Sequence, residues 1–355
     1  MNSNAQPLLL HLVPEDPEPL REQIARQLRD RIVRGELEVG EILPGYRQLA
    51  HQHRVAPSTV EGAYELLAAD GLLEGKPADD VRVAVLGPER RRDMVEHLQL
   101  EKLVAKELGR RELEMARDVQ RRLLPPGEVA GSGWEVAARC LPARVVAGDF
   151  YDILRHPDGC VDVVVADVAG KGFAASLIMA STKAMLPFVN ADGGVADMLD
   201  RLNGRLALEL GRGEFVALAV ARYSPAERRI ELANAGAPDP YVMRPGHTPL
   251  PLSVPGPRLP LGIREQVAYS SLTLEVTGED RLLLLTDGLP EARDVTGEPV
   301  GYQALESMLD QGPATGSPSS WLADVFDRIQ RLTARAPDDD WTAAVLVPKD
   351  GGKKP

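Results

Sequence analysis

Aspartates stand at the ends of four apolar segments in the C-terminal two thirds of the chain. The segments are "AGDFYD", "VVVADVAG", "LLLLTDG" and "PDDDWTAAVLV", which carry Asp149 and Asp152, Asp167, Asp287, and Asp338, Asp339 and Asp340. A carboxylate at the end of a buried strand is costly to desolvate unless a cation meets it, and clustered carboxylates raise one another's pKa. Oxygen ligands without His or Cys favour Mg²⁺ or Mn²⁺ over Zn²⁺. Together the segments predict a divalent-metal site, although each one alone also fits an ordinary turn or loop.

A glycine-rich loop, "DVAGKG", includes Asp167 and follows its apolar run. A phosphate-binding P-loop needs Lys and then Ser or Thr directly after its last glycine. Here Lys171 lies between Gly170 and Gly172, and Phe173 follows. The G-x-G-x-x-G pattern of dinucleotide-binding folds is incomplete as well. The spacing therefore argues against a nucleotide loop and directs attention to Asp167.

The elements that must position these aspartates alternate in blocks between about residues 120 and 348. Segments with strand character lie at 134–141, 145–154, 160–168, 215–223, 229–236, 267–276, 281–288 and 341–347, and helical segments at about 172–190, 195–210, 302–310 and 319–334. Strands grouped around helices, without strict alternation, favour a largely antiparallel sheet or two packed sheets with helices outside. The fold class expected from this pattern is α+β.

The N-terminal segment has the pattern of three helices and a hairpin. Leu20, Ile24, Leu28 and Ile32 recur every four residues, as on one face of a helix. A second helix is expected from Tyr46 to His53, and Pro57 and Ser58 open a third. The alternating stretch "GLLEGKPADDVRVAVL" then predicts a short hairpin. This order is typical of a winged helix-turn-helix.

Residues 88–124 form a single helical segment between the two halves. Good helix formers dominate, both charge signs alternate, and an apolar stripe recurs three or four residues apart, formed by Val95, Leu98, Val104, Leu108, Met115 and Val119. Gly109 is a position where such a helix could bend. The segment fits a solvated spacer helix or a short dimeric coiled coil, and the stripe favours the coiled coil because a lone helix cannot bury it.

Composition and charge limit the classes of function. The chain has 355 residues and a formal net charge of −12, which argues against general binding to nucleic acid or anionic membranes. The two cysteines, Cys140 and Cys160, have neither zinc nor disulfide-framework spacing. The N-terminus lacks the basic region of a signal peptide, and no apolar run is long enough to span a membrane. A cytoplasmic protein without membrane attachment is expected.

Six motifs in the C-terminal segment resemble one protein family. "GDFYD", "ADVAGKGFAASLIMA", "NAGAPDPYV", "PLGI", "LLLLTDGLPEARD" and "DDDWTAAVLV" occur in the order and at the distances of the SpoIIE/RsbU-like branch of the PPM metal-dependent serine/threonine phosphatases. The preceding "ELEMARDVQRRLLP" resembles the helix that leads into this domain. The resemblance covers about 230 residues and implies an αββα sandwich. Ala237 departs from the family pattern, since the "NAGH" motif usually has His there.

The resemblance also implies a ligand set for two Mn²⁺ or Mg²⁺ ions. By motif, Asp167 bridges both ions, and the Val168 backbone carbonyl completes one of them. Asp287 holds the second ion, Asp339 is the ligand in the last motif, and Asp149 contacts the metals mainly through water. These four aspartates are the candidate catalytic residues. Asp152 is expected farther out, Lys171 in solvent or near the substrate phosphate, and His156 at the surface.

The N-terminal segment resembles the GntR-type DNA-binding domain over about 65 residues, from "REQIARQLRDRIVRGELEVGEILPGYRQLA" to "VAPSTVEGAYELLAADGLL". A recognition helix normally carries Arg, Lys, Asn or Gln toward DNA. Here the presumed recognition helix offers Glu61 and Glu65, and the wing carries Asp79 and Asp80. Two uses of the domain remain open, namely DNA binding and a dimerising or signal-sensing role, and the acidic residues favour the second.

The expected organisation is a GntR-like winged helix-turn-helix domain (15–86), a coiled-coil linker helix (88–124) and a phosphatase domain (125–348). The expected function is dephosphorylation of a serine or threonine phosphoprotein. The resemblance implies a STAS-type anti-sigma-factor antagonist as substrate and a homodimer formed through the linker. The alternative is a GntR-type transcription regulator whose phosphatase-like domain acts only as a sensor.

Overall fold

The computed structural model describes residues 8–75, 81–85, 87–189, 193–310, 316–333 and 336–349. The chain forms two compact units, Met1–Arg110 and Arg111–Pro355. Within the described residues, no helix combines the length and the apolar character needed to cross a membrane.

The first unit contains three helices and a small antiparallel sheet. Its elements are α1 (Leu20–Arg34), β1 (Ile42–Leu43), α2 (Tyr46–His53), α3 (Pro57–Ala69), β2 (Leu73–Glu74) and β3 (Val81–Val83), with strand order β1-β3-β2. Ile24, Leu28 and Ile32 of the four-residue repeat are buried in one core. Helix α1 ends where Gly35 adopts φ 77°, a left-handed cap that satisfies the last carbonyls. The winged helix-turn-helix prediction is confirmed, while Asp79 and Asp80 lie outside the described residues.

Helix α4 (Pro88–Leu123) has 36 residues and continues through Gly109. Its apolar stripe is largely exposed, since Val104, Leu108, Met115 and Val119 keep about half or more of their surface in solvent, at 50%, 56%, 62% and 49%. The bounds of α4 match the predicted helical segment, residues 88–124, to within one residue. The coiled coil remains a prediction.

The second unit is a four-layer sandwich. Its strands are β4 (Glu128–Gly131), β5 (Trp134–Leu141), β6 (Phe150–Arg155), β7 (Val161–Val168), β8 (Val216–Ser224), β9 (Arg229–Ala235), β10 (Tyr241–Met243), β11 (Leu250–Pro251), β12 (Ser271–Glu275), β13 (Arg281–Leu285) and β14 (Trp341–Pro348). Its helices after α4 are α5 (Phe173–Val189), α6 (Val195–Glu209), α7 (Gly301–Asp310) and α8 (Pro318–Thr333). One sheet has the order β11-β10-β13-β14-β5-β4 and the other β12-β9-β8-β7-β6.

Every strand pair is antiparallel. A central apolar core lies between the two sheets. A second core joins α5 and α6 to the five-stranded sheet, and a third joins α7 and α8 to the six-stranded sheet. Strands buried on both faces explain the continuous apolar runs seen in the sequence. The αββα prediction is confirmed.

Three strand predictions were wrong in part. The strands expected over 267–276 and 281–288 extend only over Ser271–Glu275 and Arg281–Leu285. Residues 145–149 were expected to belong to a strand over 145–154, but the strand begins at Phe150. The preceding residues form an irregular loop because distant side chains, described below, bind its backbone. The short strands β4, β10 and β11 were not predicted, since each has four residues or fewer.

Candidate metal centre

Three of the four predicted aspartates lie near one another at the ends of strands from the two sheets, close enough for their charges to interact. Asp149 directly precedes β6 and Asp167 is the penultimate residue of β7, so the Phe150–Ala166 pairing places these two side by side. Each of these two carboxyls influences the pKa of the other. Asp287 comes from the other sheet, two residues after β13, and its carboxylate lies in the field of Asp167.

The Thr286 hydroxyl fixes the deepest of these carboxylates. It donates a 2.7 Å hydrogen bond to Oδ2 of Asp149, which is only 2% exposed. The same hydroxyl accepts the backbone N–H of Thr342 at 3.1 Å, and the Thr286 N–H donates to the Thr342 carbonyl at 2.9 Å. Asp149 is thus held by the paired ends of β13 and β14. Neither Thr286 nor Thr342 is distinguished by a motif that would have predicted these contacts.

Burial and crowding shift the acidity of all three carboxyls. Burial raises the pKa of Asp149 well above its usual value, and the neighbouring Asp167 and Asp340 raise it further. Burial also raises the pKa of Asp167, with Asp339 and Asp340 contributing. For Asp287, burial followed by the charges of Asp167, Glu291 and Asp339 raises the pKa to about 6. The positive charge near these three carboxyls is too small to offset the effects of burial and of the neighbouring carboxylates.

Asp339, the fourth predicted ligand, contacts a lysine from the glycine-rich loop. Its Oδ2 lies 2.8 Å from Nζ of Lys171, which also donates to the Asp338 carbonyl at 3.1 Å. Its Oδ1 accepts the N–H of Asp340 at 3.0 Å. Both carboxylate oxygens therefore have protein partners. The described residues contain no group of three Asp, Glu, His or Cys side chains arranged to hold an ion.

Asp340 organises the loop in front of β6. Its Oδ1 accepts the N–H of Ala143 at 2.7 Å, and its Oδ2 accepts the N–H of Gly148, also at 2.7 Å. From α4, the buried Gln120 side chain exchanges two hydrogen bonds with the backbone of Ala147, at 2.7 and 2.9 Å. Two side chains far away in sequence thus replace the strand pairing that residues 145–149 lack. The sequence pattern alone did not reveal either contact.

Glycines allow the close approaches around the cluster. Gly170 and Gly172 have φ of 103° and 86°, in the region that disfavours other residues. A Cβ at Gly148 would lie 3.1 Å from the carbonyl oxygen of Val168, the predicted backbone ligand. The glycine-rich loop is therefore a tight turn beside Asp167.

Two other acids lie away from the cluster. Asp152 is buried in β6, with its Oδ2 2.5 Å from Nζ of Lys183 on α5, so it already has a cationic partner. Asp162 was not among the predicted site residues. It is fully buried, and its Oδ1 lies 2.7 Å from Nε of Arg222 and 3.1 Å from Nε2 of His156. His156 thus packs against the buried Asp162–Arg222 ion pair, and its side chain is only 20% exposed.

The donor set fits divalent cations. Asp149, Asp167 and Asp287 offer only oxygen atoms, and burial together with neighbouring carboxylates raises the pKa of each. Hard oxygen ligands of this kind suit Mg²⁺ and Mn²⁺. A bound cation would offset both the desolvation cost of the buried carboxylates and their mutual repulsion.

An αββα sandwich with clustered carboxylates between its sheets, together with a winged helix-turn-helix unit, defines a PP2C-type serine/threonine phosphatase domain joined to a GntR-type domain. Residues 157–347 match the family described as Stage II sporulation protein E (SpoIIE), and residues 20–83 match bacterial regulatory proteins of the gntR family. The chain belongs to the SpoIIE family.

Similar proteins agree with each half of the chain. Phosphoserine phosphatase RsbU of Bacillus subtilis (strain 168) is 25% identical over 237 residues, covering 66% of this chain and 69% of that protein. The uncharacterized HTH-type transcriptional regulator YdeL of the same organism is 42% identical over 59 residues, 17% of this chain and 13% of that protein. The SiaA-PP2C domain of Pseudomonas aeruginosa superposes with a TM-score of 0.59 at 19% identity, over 70% of this chain and 99% of that one, and shares the fold.

Proposed function

We propose that this chain is a cytoplasmic, metal-dependent phosphatase that removes phosphate from serine or threonine of a protein substrate. The observation that carries the proposal is the cluster of Asp149, Asp167 and Asp287, contributed by both sheets of a PP2C fold, whose pKa values are raised first by burial and then by neighbouring carboxylates. Such a cluster destabilises the metal-free chain and is explained by a need to bind cations.

Two Mn²⁺ or Mg²⁺ ions would be held by the carboxylates of Asp149, Asp167, Asp287 and Asp339 and by the backbone carbonyl of Val168. Bound divalent ions supply a water acidified toward neutral pH, and they offset the charge of a phosphoryl group undergoing in-line displacement. Each oxygen of Asp339 has one partner in this structure, Nζ of Lys171 or the N–H of Asp340, so Asp339 would bind an ion more readily once its contact with Lys171 is released.

The remaining residues of the site position these ligands. Thr286 orients Asp149 through its 2.7 Å hydrogen bond, and Asp340 with Gln120 fixes the loop that leads to Asp149. Gly170 and Gly172 keep side chains away from the face beside Asp167. Lys171, freed from Asp339, would add a positive charge near an incoming phosphate.

The substrate that we propose is a phosphorylated STAS-type anti-sigma-factor antagonist. The support is the similarity to RsbU, whose name describes a phosphoserine phosphatase. In this proposal the winged helix-turn-helix unit receives a signal and α4 transmits it within a homodimer. The two hydrogen bonds between Gln120 of α4 and Ala147 support a relay, because they connect the helix to the loop before Asp149.

The direct test is turnover of p-nitrophenyl phosphate and of a phosphoserine protein by the full chain with Mn²⁺. We expect hydrolysis that EDTA abolishes, and Asp287→Asn should remove nearly all of it. Asp338→Asn is the matched control, because Asp338 is an exposed aspartate of the neighbouring loop. Absence of metal-dependent turnover on every phosphoester would refute the proposal.

A GntR-type transcription regulator is the second candidate. The match of residues 20–83 to the gntR family and the 42% identity to YdeL favour it. Glu61 and Glu65 on α3 argue against it, and a DNA-binding measurement distinguishes the two functions.

A further inference from the structure

A cavity of about 470 Å³ opens next to Asp287. This volume falls within the range of roughly 300–1,000 Å³ that is typical of ligand pockets. One wall is the segment 236–239 with Arg258, and the other includes Tyr302 and Glu306 of α7. We call it the Asp287 cavity. A polypeptide whose phosphoserine reaches Asp287 must place neighbouring residues within reach of this space.

Three side chains line the cavity on the α7 side: Tyr302 and Glu306 of the helix itself, and Glu291 of the loop before it. Tyr302 and Glu306 are four residues apart and therefore share one face of the helix. The loop carrying Glu291 is fastened to the start of α7 by two backbone hydrogen bonds, from Gly301 N–H to the Pro290 carbonyl at 2.7 Å and from Val300 N–H to the Ala292 carbonyl at 2.8 Å. Glu291 thus lines the same cavity.

The cavity has a negative balance of charge. Its cation, Arg258, lies 2.8 Å from Oδ1 of Asp239 and donates to the Ala237 carbonyl at 2.9 Å, so its charge is already matched. Glu291 and Glu306 then remain beside Asp287. The Tyr241 hydroxyl donates to Oε1 of Glu306 at 3.1 Å and holds that carboxylate in place.

The aromatic surface of the cavity suits a cation as well. Tyr302 is 45% exposed, and its ring is available to solvent within the cavity lining. Burial raises the pKa of Tyr302, and Asp287, Glu291 and Asp239 raise it further, which places the hydroxyl in a negative field. A guanidinium can stack on such a ring while it binds carboxylates.

We infer that the Asp287 cavity is a substrate subsite that selects a basic residue, Arg or Lys, flanking the phosphoserine. The inference rests on the proposed phosphatase function and adds a substrate class to it. Glu291 and Glu306 supply the charge, Tyr302 supplies the stacking surface, and the Arg258–Asp239 pair forms the opposite wall without attracting the cation.

The test uses two phosphoserine peptides that are identical except for Arg or Glu at the two positions on each side of the phosphoserine. The full chain with Mn²⁺ should hydrolyse the Arg peptide with a kcat/KM about fivefold to tenfold higher, as two partly screened carboxylate contacts allow. The preference should appear in KM and not in kcat. Catalytic steps that are the same for both peptides cancel in the ratio of their kcat/KM values.

Variants assign the preference to the cavity. The double substitution Glu291→Gln and Glu306→Gln should bring the ratio to about twofold or less, and Tyr302→Ala should reduce it while Tyr302→Phe retains it. Glu279→Gln is the matched control, because this exposed glutamate precedes β13 at the end opposite Asp287, and it should keep the wild-type ratio.

The outcomes separate the two proposals. Hydrolysis of p-nitrophenyl phosphate and of both peptides without preference would overturn the cavity inference and leave the phosphatase intact. A preference that survives the double substitution would also overturn it. No metal-dependent hydrolysis of any of the three substrates would overturn the proposed function, and this inference with it.

Discussion

Asp287 gives the metal-free site a measurable pH dependence. Its pKa is raised from 3.8 to about 6, so the folded chain binds this proton more tightly than the unfolded chain. The stabilisation from that proton is complete below about pH 4 and is lost as pH rises through about 6. For the half-buried Asp287, we expect metal-free Asp287→Asn to match wild type near pH 4 and to be about 1 kcal/mol more stable at pH 7.

Urea denaturation, monitored by tryptophan fluorescence, measures this stability difference in the unit that contains Asp287. All three tryptophans, Trp134, Trp321 and Trp341, lie in the second unit. Mn²⁺ at pH 7 should reverse the order, since wild type binds the ion and the variant has lost a ligand. A metal-free variant less stable than wild type at pH 7 would show that Asp287 is not under electrostatic strain.

In the proposed metal site, Lys171 would compete with a metal ion for Asp339. The 2.8 Å contact between them occupies a carboxylate that the proposed site needs, and the hydrogen bond to Asp339 raises the pKa of Lys171. We expect Lys171→Met to bind Mn²⁺ about twofold to fivefold more tightly in isothermal titration calorimetry, since an exposed ion pair contributes up to about 1 kcal/mol. Lys349→Met is the control, because its ion pair with Glu135 is similarly exposed and lies beyond the other end of β14. Weaker binding by the Lys171 variant would mean that the lysine supports the ligand.

At the scale of elements, the loop before β6 depends on one carboxylate. Asp340 accepts the N–H groups of Ala143 and Gly148 at 2.7 Å each, and charge-assisted bonds of this kind are the strong ones. Replacing Asp340 by Asn puts an amide N–H where one of these donors points, which should cost about 1–3 kcal/mol. The measurement is urea unfolding of the metal-free chain together with faster amide exchange at Gly148. The exposed Asp338→Asn should change neither, and equal behaviour of the two variants would contradict the assignment.

The same loop shows what the sequence could and could not predict. Val145 and Val146 have strand character, and nothing nearby indicates that partners 192 residues away, such as Asp340, bind the Gly148 backbone. The long apolar strands were predicted correctly because burial on both faces leaves a continuous hydrophobic run. In "DDD", composition could not distinguish Asp340, which binds backbone, from Asp339, since the difference depends on where each side chain points. The convergence of Asp149 and Asp167 followed from their positions at strand ends.

Helix α4 makes the proposed dimer testable. Its exposed apolar side chains include Leu108 and Met115, at 56% and 62%, separated by seven residues as in a coiled-coil seam. We expect Leu108→Glu with Met115→Glu to convert a dimer into a monomer in analytical ultracentrifugation, because charges in the seam are desolvated without partners. Lys106→Glu lies on the opposite face and should keep the dimer. A wild-type monomer at tens of micromolar would contradict the dimer proposal.

At the scale of the whole molecule, the distribution of charge favours the phosphatase over the DNA-binding regulator. The chain carries a net charge of −12, and the described part of the first unit places Glu61 and Glu65 on α3, which has no Lys or Arg. DNA binding depends on cations that neutralise phosphates and on donors that reach base edges. Among the described residues, α3 therefore lacks the basic side chains through which the recognition helix of this fold usually binds DNA.

We accordingly expect the full chain to bind neither random nor selected duplex DNA at micromolar concentration in 150 mM salt. The measurement is fluorescence anisotropy with a randomised duplex pool, before and after rounds of selection. Glu61→Arg with Glu65→Arg should introduce weak binding that falls steeply as salt increases, since two charges are reversed on the helix that faces the groove in this fold. Submicromolar binding by the wild-type chain would instead favour the transcription regulator, and the phosphatase domain would then act on, or respond to, a protein bound at DNA.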